Sequence, residues 1–351
     1  MAAKAAVLMD VSTGKVLVSF HQGDRLYPAS VTKIMPLLLV GEALDSGKIK
    51  LSDTVTASGA AASKGGSQIW LKEGETMTVE ELVKAAAIYS ANDACTALGE
   101  FLGGSEEGFV RMMNDRAAQL EMKNTTFVNC TGLDDETTEH LTSALDVAIM
   151  GRELLQHESV VQYSTVWMDS LRGGATELVN TNKLVRFYEG ATGLKTGTTS
   201  KAGCCVAASA RRGDTHLIAV VLGSGNSDDR FNTAKRLLNW GFANYATVTP
   251  KIEPALVAPV RVLWGEERWI VPEYPAEMTV LVPKGSEGDL QQQVDLALDV
   301  EAPVEEGQRL GKIVVTLDGE TLGEYTLTAP EAVAKLGYKQ ILLRLLSALS
   351  G

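Results

Sequence analysis

Three short clusters hold the side chains best suited to chemistry. Ser30-Val31-Thr32-Lys33 sets a hydroxyl three residues before an amine, just after Pro28 and at the head of an apolar run. The spacing predicts Ser30 at a helix start, with Lys33 one turn on along the same face. A neutral amine there takes the hydroxyl proton and turns a weak nucleophile into a competent one. Ser90-Ala91-Asn92 ends the apolar stretch 83–88, where a hydroxyl and an amide would face a cleft from a loop. Lys195-Thr196-Gly197-Thr198 follows Gly190 and Gly193 and precedes Thr199-Ser200. On a strand edge it would supply a cation, hydroxyls and, at Gly197, backbone that no side chain shields.

Each cluster taken alone has an ordinary structural explanation. Ser30 would serve as a helix cap with Lys33 in solvent, and Ser90 and Asn92 as a helix-ending turn. In a chain of average composition a Ser three residues before a Lys arises about once by chance, and a given tripeptide such as Lys-Thr-Gly in under about one chain in ten. All three in this order are far rarer. Together they resemble the Ser-x-x-Lys, Ser-Asp-Asn and Lys-Thr-Gly signature of class A β-lactamases and penicillin-binding proteins, with Ala91 where that set has Asp.

The elements that must position these clusters can be read from periodicity. Residues 5–10 and 15–20 are predicted as a hairpin around Ser12-Thr13-Gly14. Helical patterns begin at Ser30, at Val79-Glu80-Glu81-Leu82 and near Glu106, and continue over 143–156. Strands return over 203–210 and 216–222, and a helix follows over 229–245. Strands at both ends of a helical middle imply an α+β domain over 1–248 whose termini share one antiparallel sheet. Beyond Thr249-Pro250 the prolines at 250, 254, 259, 272, 275, 283 and 303 punctuate short β-rich runs, which predicts a small all-β domain over 249–330. Its clearest element is a hairpin, 312–317 and 320–327, around Asp318-Gly319. An amphipathic helix is expected over 331–351, where from Lys335 onward Lys335, Lys339 and Arg344 are unopposed by any acid, with peripheral membrane contact as its role. The apolar run 341–349 is too short to span a bilayer.

Composition narrows the function. A chain of 351 residues with 45% hydrophobic content is long enough for two folded domains. A net charge of -12 argues against a nucleic-acid surface. Cys95, Cys130, Cys204 and Cys205 have no metal-ligand spacing with His21, His140, His157 or His216, so no metal or other cofactor is expected. Adjacent Cys204 and Cys205 on a strand would point to opposite faces, as unbridged thiols. The apolar opening 5–9 runs into Asp10 and reads as a strand, not a signal peptide.

Beyond the motifs the chain resembles the low-molecular-mass D-alanyl-D-alanine carboxypeptidases of peptidase family S11 over nearly its whole length. The opening Ala6-Val7-Leu8-Met9-Asp10 with Ser12-Thr13-Gly14-Lys15, Tyr27-Pro28-Ala29-Ser30, Ser90-Ala91-Asn92-Asp93-Ala94, Met122-Lys123-Asn124-Thr125, Asn180-Thr181-Asn182-Lys183-Leu184 and Gly193-Leu194-Lys195-Thr196-Gly197 carry the likeness. The resemblance implies a penicillin-binding-protein-like catalytic domain, an antiparallel sheet with a helical subdomain, and action in the cell envelope outside the cytoplasm. It implies a peptidoglycan pentapeptide ending in D-Ala-D-Ala as substrate and β-lactams as covalent inhibitors. It also implies catalytic roles for Ser30, Lys33, Ser90, Asn92 and Lys195. Thr196, Gly197, Thr198 and Arg230 would bind substrate, and the amides of Ser30 and Thr198 the oxyanion.

Two alternatives stand beside this: a scaffold that acylates but scarcely turns over, and a β-lactamase-like hydrolase. Class A β-lactamases place an Asn four residues after a catalytic Glu. Glu121 has Asn124 three residues on, which disfavours the second. Departures from the family pattern are Pro36, which would kink the helix and shift Lys33, Cys204-Cys205, and Cys130 where the family has a proline.

Overall fold

The computed structural model describes residues 2–135, 137–275 and 278–341. The chain divides into two compact units between Asn244 and Tyr245. In the first, β1 (Ala5–Asp10) turns back into β2 (Val16–Phe20). The Asp10 carboxylate closes that turn by accepting from the Thr13 N–H and hydroxyl, at 2.8 and 2.7 Å.

A 3₁₀ turn, Ala29–Lys33, then leads into α1 (Ile34–Asp45). The α-helix thus starts four residues later than the Ser30 expected from sequence. Pro36 falls in its first turn, where a backbone N–H has no intrahelical partner to lose. The helix runs unbroken to Asp45, so the expected kink does not arise.

The small ribbon of β3 (Thr54–Thr56) and β4 (Thr76–Thr78) flanks the short α2 (Gly59–Ala62). Next come α3 (Val79–Lys84), a π turn Ala85–Tyr89, α4 (Asn92–Gly103), α5 (Glu106–Gln119), α6 (Ala144–Leu154) and α7 (Glu158–Ser164). Helix α3 starts at the expected Val79 and opens on a reciprocal capping box between Thr78 and Glu81. A hairpin of β5 (Met168–Leu171) and β6 (Thr176–Val179), which periodicity does not announce, precedes α8 (Leu184–Phe187). The unit ends with β7 (Ala191–Thr199), β8 (Gly203–Arg212), β9 (Thr215–Ser224) and α9 (Ser227–Asn244).

The main sheet is antiparallel in the order β2-β1-β9-β8-β7, so the two ends of the unit do share it. Successive strand side chains point to opposite faces, and both faces of the central strands are buried. Val7, Ala207, Ile218 and Val220 join the large core with α1 and α6. Leu8, Val206, Leu217 and Val221 join a second core with Phe231, Leu238 and Phe242 of α9. Strand β7 is left at the outer edge, with no strand partner on one side among the described residues.

The second unit is β-rich, with two small apolar cores. Tyr245–Val248 pairs with Val280–Pro283, which moves the domain boundary four residues ahead of the expected 248/249. The expected hairpin forms between Arg309–Leu317 and Glu320–Thr328 around Asp318 (φ +50°) and Gly319 (φ +81°), the left-handed pair that a two-residue turn requires. Within the described residues the helix expected from residue 331 starts later. Val333 is buried and bridges Val304, Lys335 bridges Gly265 and pairs with Glu301 at 3.6 Å, and helix begins only at residue 338. Residues 342–351 lie outside the described ones.

Candidate active site

The Ala29–Lys33 turn holds Ser30 and Lys33 on one face, with Lys33 Nζ 3.0 Å from Ser30 Oγ. The turn carries strain, because Ala29 adopts φ +49°, a left-handed conformation that costs a non-glycine residue roughly 1–2 kcal/mol. Two glycines let the surroundings close on it. A Cβ on Gly132 would lie 1.9 Å from the Ala29 carbonyl oxygen, and one on Gly197 would lie 2.8 Å from both the Pro28 oxygen and the Ser30 nitrogen. The nucleophile turn is therefore clamped between the 129–133 loop and the edge strand β7.

Lys33 is completely buried. Its Nζ donates to Asn92 Oδ1 at 2.5 Å and to the Thr131 carbonyl at 2.9 Å. Neither acceptor can be protonated near neutral pH, so together they fix two N–H directions and leave the third position facing Ser30. Burial pulls the Lys33 pKa from 10.5 down to about 8, against the raising influence of Cys95, Cys130 and Asp93. The shift is one that a lysine acting as a base needs, since a neutral amine keeps the lone pair. Lys195 on β7 is equally buried and is pushed well below the usual lysine range, first by burial and then by the Lys33 charge. Its ammonium nitrogen donates to the Thr196 carbonyl at 3.3 Å.

Asn92 opens α4 and ties several parts together. Its backbone N–H donates to the Ser67 carbonyl, its Oδ1 accepts from Lys33, and its Nδ2 donates to the Gly65 carbonyl at 2.6 Å, leaving one amide N–H for a substrate. Ser90 is buried at the corner between the π turn and α4, in the left-handed conformation with φ +70°. Among the described residues no hydrogen bond joins its hydroxyl to Ser30, Lys33 or Lys195.

The hydroxyls of the third cluster are engaged with their own framework. Thr196 Oγ1 donates to Thr181 Oγ1 at 2.7 Å, and Thr198 Oγ1 donates to the Gly197 carbonyl at 2.8 Å. Arg230, in the first turn of α9, is buried rather than a surface helix-start residue. Its Nη1 donates to the Gly197 carbonyl (2.9 Å), Thr198 Oγ1 (3.0 Å) and the Cys205 carbonyl (3.1 Å), placing a guanidinium directly behind β7. All nine sequence-predicted residues are thus gathered in the first unit, on the turn, the α4 corner, β7 and α9.

Several contributors carry no motif. The Asn129 side chain accepts from the Thr131 and Gly132 N–H groups, and so shapes the loop whose carbonyl holds Lys33. His140 is fully buried. Its Nδ1 accepts from the Val128 N–H, which leaves Nε2 to donate to Thr32 Oγ1 at 2.8 Å. Burial and the Lys33 charge hold its pKa down at about 4. Asp134 accepts from Thr199 Oγ1 at 2.6 Å, and Lys201 donates to the carbonyls of Asp134 and Thr137, pinning the end of β7. Cys130 packs beside Glu106 and Thr96, and Cys95 Sγ donates to the Cys130 carbonyl at 3.2 Å, so two unbridged thiols back the buried lysine. Cys204 and Cys205 are unbridged too, as expected.

This arrangement can acylate a hydroxyl. It has a base with two fixed N–H bonds, a nucleophile on a strained turn, and a cationic, glycine-bared strand edge on which an extended peptide can lie.

Comparison with known proteins points the same way. A family model for D-alanyl-D-alanine carboxypeptidase matches residues 1–226, and one for the penicillin-binding protein 5 C-terminal domain matches residues 255–335. The D-alanyl-D-alanine carboxypeptidase DacF of Bacillus subtilis is 43% identical over 346 residues, 97% of this chain and 88% of that protein. The crystal structure of penicillin-binding protein 5 from Haemophilus influenzae superposes with a TM-score of 0.82 at 31% identity, over 95% of this chain and 98% of that one. Penicillin-binding protein D2 from Listeria monocytogenes, solved in an ampicillin-bound form, matches at a TM-score of 0.63 and 30% identity, over 69% of this chain and 98% of that one.

Proposed function

The chain belongs to the D-alanyl-D-alanine carboxypeptidase family, and on that premise we propose how its residues divide the work of a serine-type D-Ala-D-Ala carboxypeptidase. The substrate is a peptidoglycan stem peptide ending in D-Ala-D-Ala, laid along the free edge of β7. Neutral Lys33 takes the Ser30 hydroxyl proton as Oγ attacks the carbonyl between the two D-alanines. The amides of Ser30 and Thr198 stabilise the oxyanion, a contribution worth about 10²–10³ in rate per donor. Thr196, Thr198, Lys195 and Arg230 attract the terminal carboxylate through hydroxyl and cationic partners. Ser90 passes the proton from Lys33 to the departing amine, and D-alanine leaves. The free amide N–H of Asn92 holds the substrate backbone. Water then attacks the ester, giving one proton to Lys33, and the Ser30 hydroxyl is restored as the shortened peptide leaves.

The observation that carries this reading is the Lys33 environment: a buried amine, two neutral acceptors and Ser30 Oγ at 3.0 Å. A β-lactam carbonyl would occupy the same position and leave a slow-hydrolysing ester on Ser30. The substrate's location puts the site of action outside the cytoplasm, in the cell envelope. Among the described residues no helix is long and apolar enough to cross a membrane. We assign the segment after Tyr338, with Lys339 and Arg344, to peripheral contact with an anionic membrane surface.

The test is release of D-alanine from an acylated peptide ending in D-Ala-D-Ala. Wild-type protein should release it and Ser30→Ala should not. Absence of release from folded wild-type protein would leave a scaffold that only acylates.

A further inference from the structure

A cavity of about 820 Å³ lies beside the Ser90 corner and is not used by the acyl-transfer chemistry. Tyr89, the residue immediately before Ser90, forms part of its wall. So do Trp70, Arg172, Glu73, Glu75 and Glu177.

Trp70 is the unusual member. It is 75% exposed and its backbone is left-handed, with φ +60°. A bulky residue holds that conformation only where its neighbours over-determine it. Here they do. The buried carboxylate of Asp93, one residue beyond Asn92, accepts from the Ile69 N–H at 3.2 Å and the Leu71 N–H at 3.0 Å, gripping the chain on both sides of Trp70. Arg172 is left-handed as well, with φ +53°. Its Nη1 donates to the Ile69 carbonyl at 2.9 Å, and its Nε donates to Glu75 at 2.7 Å. Its Nη2 is buried with no hydrogen-bond partner among the described residues. Two strained residues are thus locked to each other and to the α4 corner, and what they present is an indole directed to solvent.

A singly exposed Trp is ordinary on a protein surface; what sets Trp70 apart is that its strained backbone is held in place and that Tyr89 shares the wall of the same cavity. The chemistry of the walls selects the ligand. Three wall carboxylates, Glu73, Glu75 and Glu177, face two cations, Lys72 and Arg172, and Arg172 is already paired with Glu75, which disfavours a phosphate or an anionic lipid headgroup. Aromatic faces beside carboxylates and a guanidinium suit a neutral polyol: the C–H face of a pyranose stacks on the rings, while hydroxyl and acetamido groups bond to the charged rim.

We infer that the Trp70–Tyr89 cavity is a subsite for an N-acetylated pyranose of the glycan strand that bears the stem peptide. The inference rests on the carboxypeptidase reading, because that reading places glycan-linked peptide at the neighbouring corner. The subsite would let the enzyme prefer wall polymer over a free peptide.

The experiment compares two substrates, a soluble acyl-D-Ala-D-Ala peptide and a disaccharide-linked pentapeptide, with wild type, Trp70→Ala and Trp70→Phe. Wild type should favour the disaccharide-linked substrate. Trp70→Ala should lose about ten-fold on that substrate, mainly in KM, and stay within two-fold on the free peptide. Trp70→Phe, which keeps an aromatic face, should retain most of the preference. Equal losses on both substrates, or the same preference in wild type and Trp70→Ala, would overturn the subsite. So would the absence of a Trp fluorescence change when Ser30→Ala protein is titrated with an N-acetylglucosamine oligomer. If wild type releases no D-alanine from either substrate, the carboxypeptidase reading fails instead.

Discussion

Adding one methyl group at Gly197 should nearly silence the enzyme while leaving it folded. The new Cβ would meet the Pro28 oxygen and the Ser30 nitrogen at 2.8 Å and the Val31 nitrogen at 2.9 Å, whereas ordinary contact begins at 3.4 Å. The strand and the nucleophile turn must therefore separate by about 0.6 Å, from 3.4 − 2.8. All three obstructing atoms are backbone, so no rotamer change relieves them. Overpacking of this kind costs about 1–3 kcal/mol of stability. The functional cost is larger, because a misplacement approaching 1 Å at a reacting centre costs about 10²-fold in rate. We expect Gly197→Ala to acylate with a fluorescent penicillin about 10²-fold more slowly than wild type, with a modest fall in the urea midpoint. Gly288→Ala, where an added Cβ meets nothing within 4 Å, serves as the control. If Gly197→Ala acylates within about three-fold of wild type, the close approach of β7 to Ser30 is not what organises the site.

Three further outcomes follow from the charges and hydrogen bonds. Lys33 must be neutral to act, so acylation should rise with pH through an apparent pKa near 8 and then level off; a rate independent of pH from 6 to 9 would rule Lys33 out as the base. Arg230→Ala removes the guanidinium behind Gly197 and Thr198 and should lower kcat/KM for D-Ala-D-Ala peptides at least ~10-fold, measured as D-alanine release. His140 is held neutral with a pKa near 4, below its ordinary 6.5. The unfolded chain therefore binds the extra proton first, and this group's contribution to stability is lost as pH falls from 6.5 towards 4, by up to about 3 kcal/mol. Urea midpoints across that range should show a shallower fall in His140→Gln than in wild type.

The sequence was informative where interactions are local. Ser30 and Lys33 are three residues apart on one turn, so their contact could be read from spacing. The helical run at Val79-Glu80-Glu81-Leu82 and the Asp318-Gly319 turn are equally short-range signals. What spacing missed is made by backbone atoms and by residues far away in the chain. The carbonyl that holds Lys33 belongs to Thr131, and any residue type supplies a carbonyl. Gly132 and Gly197 matter because of what the Ala29 turn places against them, which no neighbouring residue announces. Arg230 could equally have been a solvated helix-start residue, because its partners are mostly the carbonyls of distant strands. Pro36 misled for a related reason: the 3₁₀ turn ahead of α1 moved it from the helix interior into the first turn.

The most direct test of the account is intact-mass measurement after incubation with a β-lactam, followed by peptide mapping of wild-type and Lys33→Ala protein. The account predicts a single adduct on the peptide carrying Ser30 in wild type, prevented by excess D-Ala-D-Ala peptide, and no adduct in Lys33→Ala on the same timescale. An adduct on any residue other than Ser30, or unchanged labelling of Ser30 without Lys33, would contradict it.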